Sequence, residues 1–167
     1  MPATYEKIAT TTVSGSTTNA ITFSTIPATY TDLRIVIAGS VTVADTVRFR
    51  INGDTGTNYS YTRLYGDGTS AASIASTSAT EFRVSDSDWS TTLTAMNEID
   101  IFSYAGSTNK TLLSKNSADF NGSGRTSATV ALWRSTAAIT SVSYYVTTAT
   151  RYFTAGTTAT LYGILKA

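Results

Sequence analysis

Apolar and polar residues alternate along this chain in short runs, the pattern of strands that bury one face. Residues 32–41 show it best: Leu33, Ile35 and Ile37 point one way, and Arg34, Val36 and Ala38 the other. Residues 46–51 repeat it, with Val47, Phe49 and Ile51 set against Thr46, Arg48 and Arg50. Asn52-Gly53 follows, a turn signal because both residues tolerate positive φ. The pattern predicts further strands at 5–13, 20–23, 59–65, 81–84, 97–104, 110–120, 126–134, 139–146 and 157–165. Pro27 marks an edge or loop, since it cannot donate a ladder hydrogen bond. Residues 69–80 (TSAASIASTSAT) are small and of low complexity, and read as a long surface loop. Residues 86–95 read as a turn or a single helical turn. No helical period lasts more than two turns. The expected fold is all-β: one antiparallel β-sandwich over residues 1–167, jelly-roll-like, with about eight to ten strands.

Composition explains how so plain a pattern stays wet. The 167 residues include 34 Thr and 21 Ser, while only 14% are charged. An ordinary soluble domain has roughly 25% charged residues, so hydroxyls must supply most of the polar surface here. The branched Cβ of Thr suits a pleated strand, and its hydroxyl solvates the outer face. Net charge is +1. That argues against a nucleic-acid binder, which needs clustered Lys and Arg to displace counterions. A surface with so little charge offers little repulsion against self-association.

Several chemistries are excluded by what is missing. The chain has no Cys and no His. Disulfides, thiolate metal sites and Ser/His or Cys/His nucleophile pairs are therefore impossible. Ser114 and Lys115 are strand neighbours and would face opposite sides, which argues against a Ser/Lys pair. Asp86 and Asp88 flank Trp89 in SDSDW, readable as a carboxylate pair beside a sugar-stacking ring or as an Asx-rich turn with an anchoring Trp. Glu98 and Asp100 share a strand face and read as its solvent side. Asp54 and Asp67 lie in Gly-rich turns, where oxygen ligands for calcium could converge, although neither has the alternating acids of a dedicated loop. No phosphate-cradling Gly motif occurs. No cofactor and no catalytic or metal-binding residue is expected. Residues 1–7 carry neither the basic region nor the apolar stretch of a signal peptide, and no run approaches the roughly 20 apolar residues of a membrane helix. The protein is expected to be made in the cytosol and released, if at all, by host lysis.

The tyrosines carry the strongest binding signal. In NYSYTRLY, Tyr59, Tyr61, Arg63 and Tyr65 share one side of an extended strand. These residue types dominate interface hot spots. They also suit a core-edge strand with half-buried rings and wet hydroxyls, so both readings stay open. With Trp89, these four are the candidate interface residues.

Taken together, Tyr5-Glu6-Lys7-Ile8-Ala9, the segment IPATYTDLRIVI at 26–37, and Asn52-Gly53-Asp54 leading into NYSYTRLYGDG resemble small virion structural proteins of tailed bacteriophages, cyanophages among them. The resemblance spans residues 5–68. The smaller residues often found at the last turn are replaced here by Tyr65. The resemblance implies a β-sandwich on the outside of a virion, with no active-site residues to carry over. A capsid decoration (cement) protein would bind the major capsid protein on the outer capsid surface. It would act as a homo-oligomer, a trimer in preference to a dimer, without nucleic acid or membrane. The alternative is a tail-fibre or receptor-binding module that stacks host glycans on Trp89, Trp133 and the tyrosines. A depolymerase is a third, weaker expectation.

Overall fold

A computed structural model describes residues 4–85 and 89–165. Among the described residues, twelve strands fold into two sheets, and every pairing is antiparallel. They are β1 (Tyr5–Thr12), β2 (Ala20–Phe23), β3 (Asp32–Gly39), β4 (Val47–Ile51), β5 (Tyr59–Gly66), β6 (Ala71–Ala79), β7 (Phe82–Arg83), β8 (Ala95–Ile101), β9 (Lys110–Asp119), β10 (Gly124–Trp133), β11 (Val142–Val146) and β12 (Thr158–Ile164). The large sheet has the order β1-β12-β3-β8-β9-β10-β5-β6, and the small one β2-β11-β4-β7. The molecule is the β-sandwich that the alternation predicts.

The core lies between the sheets. Leu33, Ile35, Ile37, Ile99, Ile101 and Leu161 of the large sheet face Ile21, Phe49, Ile51, Tyr144 and Val146 of the small one. Each such side chain stabilises the fold by roughly 1.5–3 kcal/mol relative to exposure. Phe49 meets Tyr144 edge to face at 5.0 Å and Phe82 at 6.3 Å. One polar bridge crosses this layer. The Tyr144 hydroxyl donates to Asn97 Oδ1 at 2.8 Å, and Asn97 Nδ2 donates to Ser114 Oγ at 2.8 Å and to the Lys115 carbonyl at 2.9 Å. The bridge ties β11 of one sheet to β8 and β9 of the other, and a buried polar group costs little only when paired in this way.

Four strands cannot cover eight, and the inner face of the large sheet changes character accordingly. On β9 and β10 the inward residues become Ser114, Asn116, Ser127 and Thr129, all buried. Lys110 is also fully buried and donates to the carbonyls of Gly106 and Thr108. Desolvation lowers its pKa below the usual lysine value.

The strands outnumber the eight to ten expected, and one of them falls where a loop was expected. Residues 69–80 do not form a loop: β6 occupies nine of them and pairs with β5. Its composition lacks the β-branched and aromatic bias of a strand. Pairing with β5, rather than local propensity, makes it extended.

Candidate interaction surface

The Tyr/Arg stripe does share one face of β5, and that face points between the sheets. Tyr59 is 1% exposed and Arg63 0%. The Tyr59 hydroxyl accepts from Ile51 N at 3.0 Å and donates to the Ile51 carbonyl at 3.2 Å, which pins the β4–β5 turn. Burial pushes the Tyr59 pKa up to about 12. Tyr61 is half-buried edge-on to Phe82 at 6.3 Å, and the Arg63 guanidinium sits 5.1 Å from the Tyr65 ring centre. Trp89 is 0% exposed, bridges to Asp45 and meets Phe153 at 5.8 Å. Tyr59, Arg63 and Trp89 are therefore internal in the folded chain, and Tyr61 and Tyr65 show only part of their rings. Trp133, 3% exposed, is equally withdrawn as a sugar platform.

The acidic turns are occupied by their own neighbours. Asp54 accepts from Trp133 Nε1 at 2.7 Å, Gly56 N at 2.8 Å and Asn58 Nδ2 at 2.9 Å. Burial pushes its pKa up, but these donors outweigh burial and hold it below the ordinary carboxylate value. Asp67 accepts from Thr69 N and Ser70 N at 2.9 and 2.8 Å, as a turn-forming Asp does, and its pKa is lowered by them. Asp45 behaves like Asp54: burial raises its pKa, and donors from Thr148, Thr46 and Thr147 lower it further than burial raises it. Asp86 and Asp88 lie outside the described residues. Among the described residues, no group of three Asp or Glu side chains converges.

What lies open is the outer face of the large sheet, and its two halves differ. Over β1, β12, β3 and β8 the face is charged and aromatic. Tyr5 stacks on Tyr162 at 4.6 Å, and Arg34 grips Asp100 through two hydrogen bonds of 2.6 and 2.9 Å. Glu98 stands opposite Lys115 of β9. Over β9, β10, β5 and β6 the face is nearly uncharged. Leu64 is 64% exposed, Val130 50% and Leu113 37%. Leu113 faces Val130 directly, and Ala128 faces Leu64. A shallow cleft of about 760 Å³ runs over Leu64, Ala72, Lys115 and Ala128. It adjoins a second of about 1090 Å³ between the β5–β6 and β9–β10 turns, where Asp67, Asp119, Arg125 and Met96 meet.

Leu64 had a sequence signal. It alternates with the Tyr/Arg stripe on one strand, so once the stripe turns inward Leu64 must turn outward. Hydropathy alone argues for the opposite assignment.

No protein-family model matches the chain, and no curated protein does. Among solved structures, the CBM2 module of the evolved Dit protein of Lactobacillus casei BL23 phage J-1 aligns over 92% of this chain and 76% of its own. The identity is 6% and the TM-score 0.18, too low to support an argument. The functional reading rests on the residues.

Proposed function

We propose that this protein is a virion structural protein of a tailed phage, a capsid decoration protein that grips the outer capsid surface with the uncharged half of its large sheet. It acts by holding rather than by turning over a substrate. The location comes from the motif resemblance over residues 5–68. The mode of binding is carried by one observation: Leu64, Leu113 and Val130 form an exposed aliphatic band on a regular sheet face. A band of this kind, rimmed by Lys115 and the acidic turns, has the apolar centre and polar border of a docking surface. The framework beneath it is held by the buried Tyr144–Asn97–Ser114 bridge, so the band can be presented without rearrangement.

The test is co-sedimentation of the purified protein with capsids and, separately, with tails of the same phage. Pelleting with capsids, lost on Leu64→Asp with Val130→Asp, is the expected result. Pelleting with tails alone would overturn the capsid assignment.

The second reading, a receptor-binding module for host glycans, moves from the tryptophans to the other half of the sheet. Tyr5, 44% exposed and stacked on Tyr162 beside the Arg34–Asp100 pair, offers a ring face next to hydrogen-bonding groups, as sugar sites do. Binding to a glycan array that Tyr5→Ala abolishes would favour it over the first reading.

A further inference from the structure

The large sheet ends in two edges, and only one of them carries charge. At the β1 edge, Glu6 and Lys7 are charged, and the pairing with β12 is interrupted by a bulge between Lys7 and Ala9. Charges and bulges are the usual means of stopping edge-to-edge association. The edges of the small sheet are short: β2 has four residues and β7 two. The β6 edge has nine residues, AASIASTSA, with no charge and no proline. Its register with β5 is regular from Gly66↔Ala71 to Tyr61↔Ser76 and shifts by one residue only at the far end, before Tyr59↔Ala79, so residues 71–76 form an uninterrupted edge; among the described residues β6 pairs with β5 only. Every second residue along its free side therefore directs an N–H and a C=O outward, ready to accept another strand.

We infer that β6 pairs antiparallel with β6 of a second copy of this chain, so that two large sheets become one continuous sheet across a twofold axis. The choice of a second copy follows from self-complementarity. A twofold axis sets the residue on the axis against itself and pairs the flanking residues symmetrically, so a charge at or beside the axis would lie close to its own copy across the seam. Here none can. An axis through Ser73 sets Ala71 against Ala75 and Ala72 against Ile74. An axis through Ile74 sets Ile74 against itself and Ser73 against Ala75. Only small uncharged residues and one isoleucine meet in either register. The outer face gains as well: Ser73 faces Leu64 within the sheet, so the aliphatic bands of the two copies run toward each other across the seam. The inference does not depend on where on the virion the protein sits.

The experiment is sedimentation equilibrium of the full chain over a range of concentrations, beside Ser73→Lys with Ala75→Lys, and Thr12→Lys on β1 as control. Ser73, Ala75 and Thr12 are exposed, and circular dichroism checks that each variant keeps its strands. Wild type and the β1 variant are expected at twice the chain mass. The β6 variant is expected at the single-chain mass, with self-association weakened by at least ~tenfold. Amide hydrogen exchange over residues 71–76 should be slow in wild type and fast in the β6 variant; this readout still decides if the mass data are distorted by aggregation. A wild type that stays at one chain mass, a trimer mass, or a dimer untouched by the β6 lysines would each overturn the inference. A wild-type monomer that still pellets with capsids would remove the strand pairing and leave the decoration reading intact. A dimer that binds no capsid would do the reverse.

Discussion

The two ends of the eight-stranded sheet are built from the same hydroxyl-rich vocabulary and differ in where the few charges go. At the β1 end, Glu6, Lys7, Arg34, Glu98 and Asp100 sit on or beside a sheet that is also locked to the core. The Tyr30 hydroxyl donates to Glu6, the Tyr104 hydroxyl donates to the Pro27 carbonyl, and the Tyr30 ring lies against Gly163. At the β6 end, charge is nearly absent, Leu64 and Val130 are exposed, and β6 is held mainly by β5. With 14% charged residues, a chain cannot guard every surface. The side left unguarded is the one to examine for a partner.

The largest effect is expected at the docking surface. Leu64→Asp with Val130→Asp should weaken capsid binding by at least ~100-fold, because a charge must then be buried unpaired at the contact. Tyr5→Ala, on the opposite half, should change it by less than about threefold. Titrated co-sedimentation reads both. Equal losses from the two halves would erase the distinction.

The next effect concerns how firmly each end is attached. A Cβ at Gly163 would meet the Tyr30 ring at 2.3 Å. Gly163→Ala should therefore lower unfolding stability by about 1–3 kcal/mol in urea titration, as overpacking does. Ile74→Ala on half-exposed β6 should cost less, about 1 kcal/mol or under. A larger loss at Ile74 than at Gly163 would show that β6 is part of the core in solution.

Acid provides a smaller, graded test at the turns flanking β4. The folded-state pKa values of Asp54 and Asp45 lie below their unfolded values. The stability they add is present above about pH 4, the ordinary Asp value, and is lost as pH falls through the lower folded values. Denaturation midpoints should drop in that window, and Asp54→Asn should flatten part of the drop while keeping an acceptor for Trp133. The smallest effect is expected for Arg34→Ala. Its pair with Asp100 is partly exposed, so the loss should be about 1 kcal/mol or less and should shrink with added salt.

Much of the fold was legible because β3, β4 and β8 alternate cleanly and turn at Asn-Gly or Gly-rich sites. β6 was not, since AASIASTSA carries almost no strand propensity and becomes a strand only through β5. The stripe Tyr59, Tyr61, Arg63 and Tyr65 was legible as one face. Its direction was not, because Tyr and Arg serve cores and interfaces alike, and the rule that Leu goes inside points the wrong way at Leu64. Trp89 was legible as an anchoring Trp as well as a binding ring, but nothing in SDSDW marks its bridge to Asp45 or its contact with Phe153. The aliphatic band joins the β9–β10 hairpin to β5 through a β5–β10 register that links segments more than 50 residues apart in sequence and has no local signature.

The most direct measurement is electron cryomicroscopy of capsids with and without the protein, at a resolution that orients its two sheet ends. Added density is expected on the outer capsid surface, with Leu64, Leu113 and Val130 against the shell and the β1 end toward solvent. Capsids that look the same with and without the protein, density confined to the tail, or the β1 end at the shell would contradict this expectation.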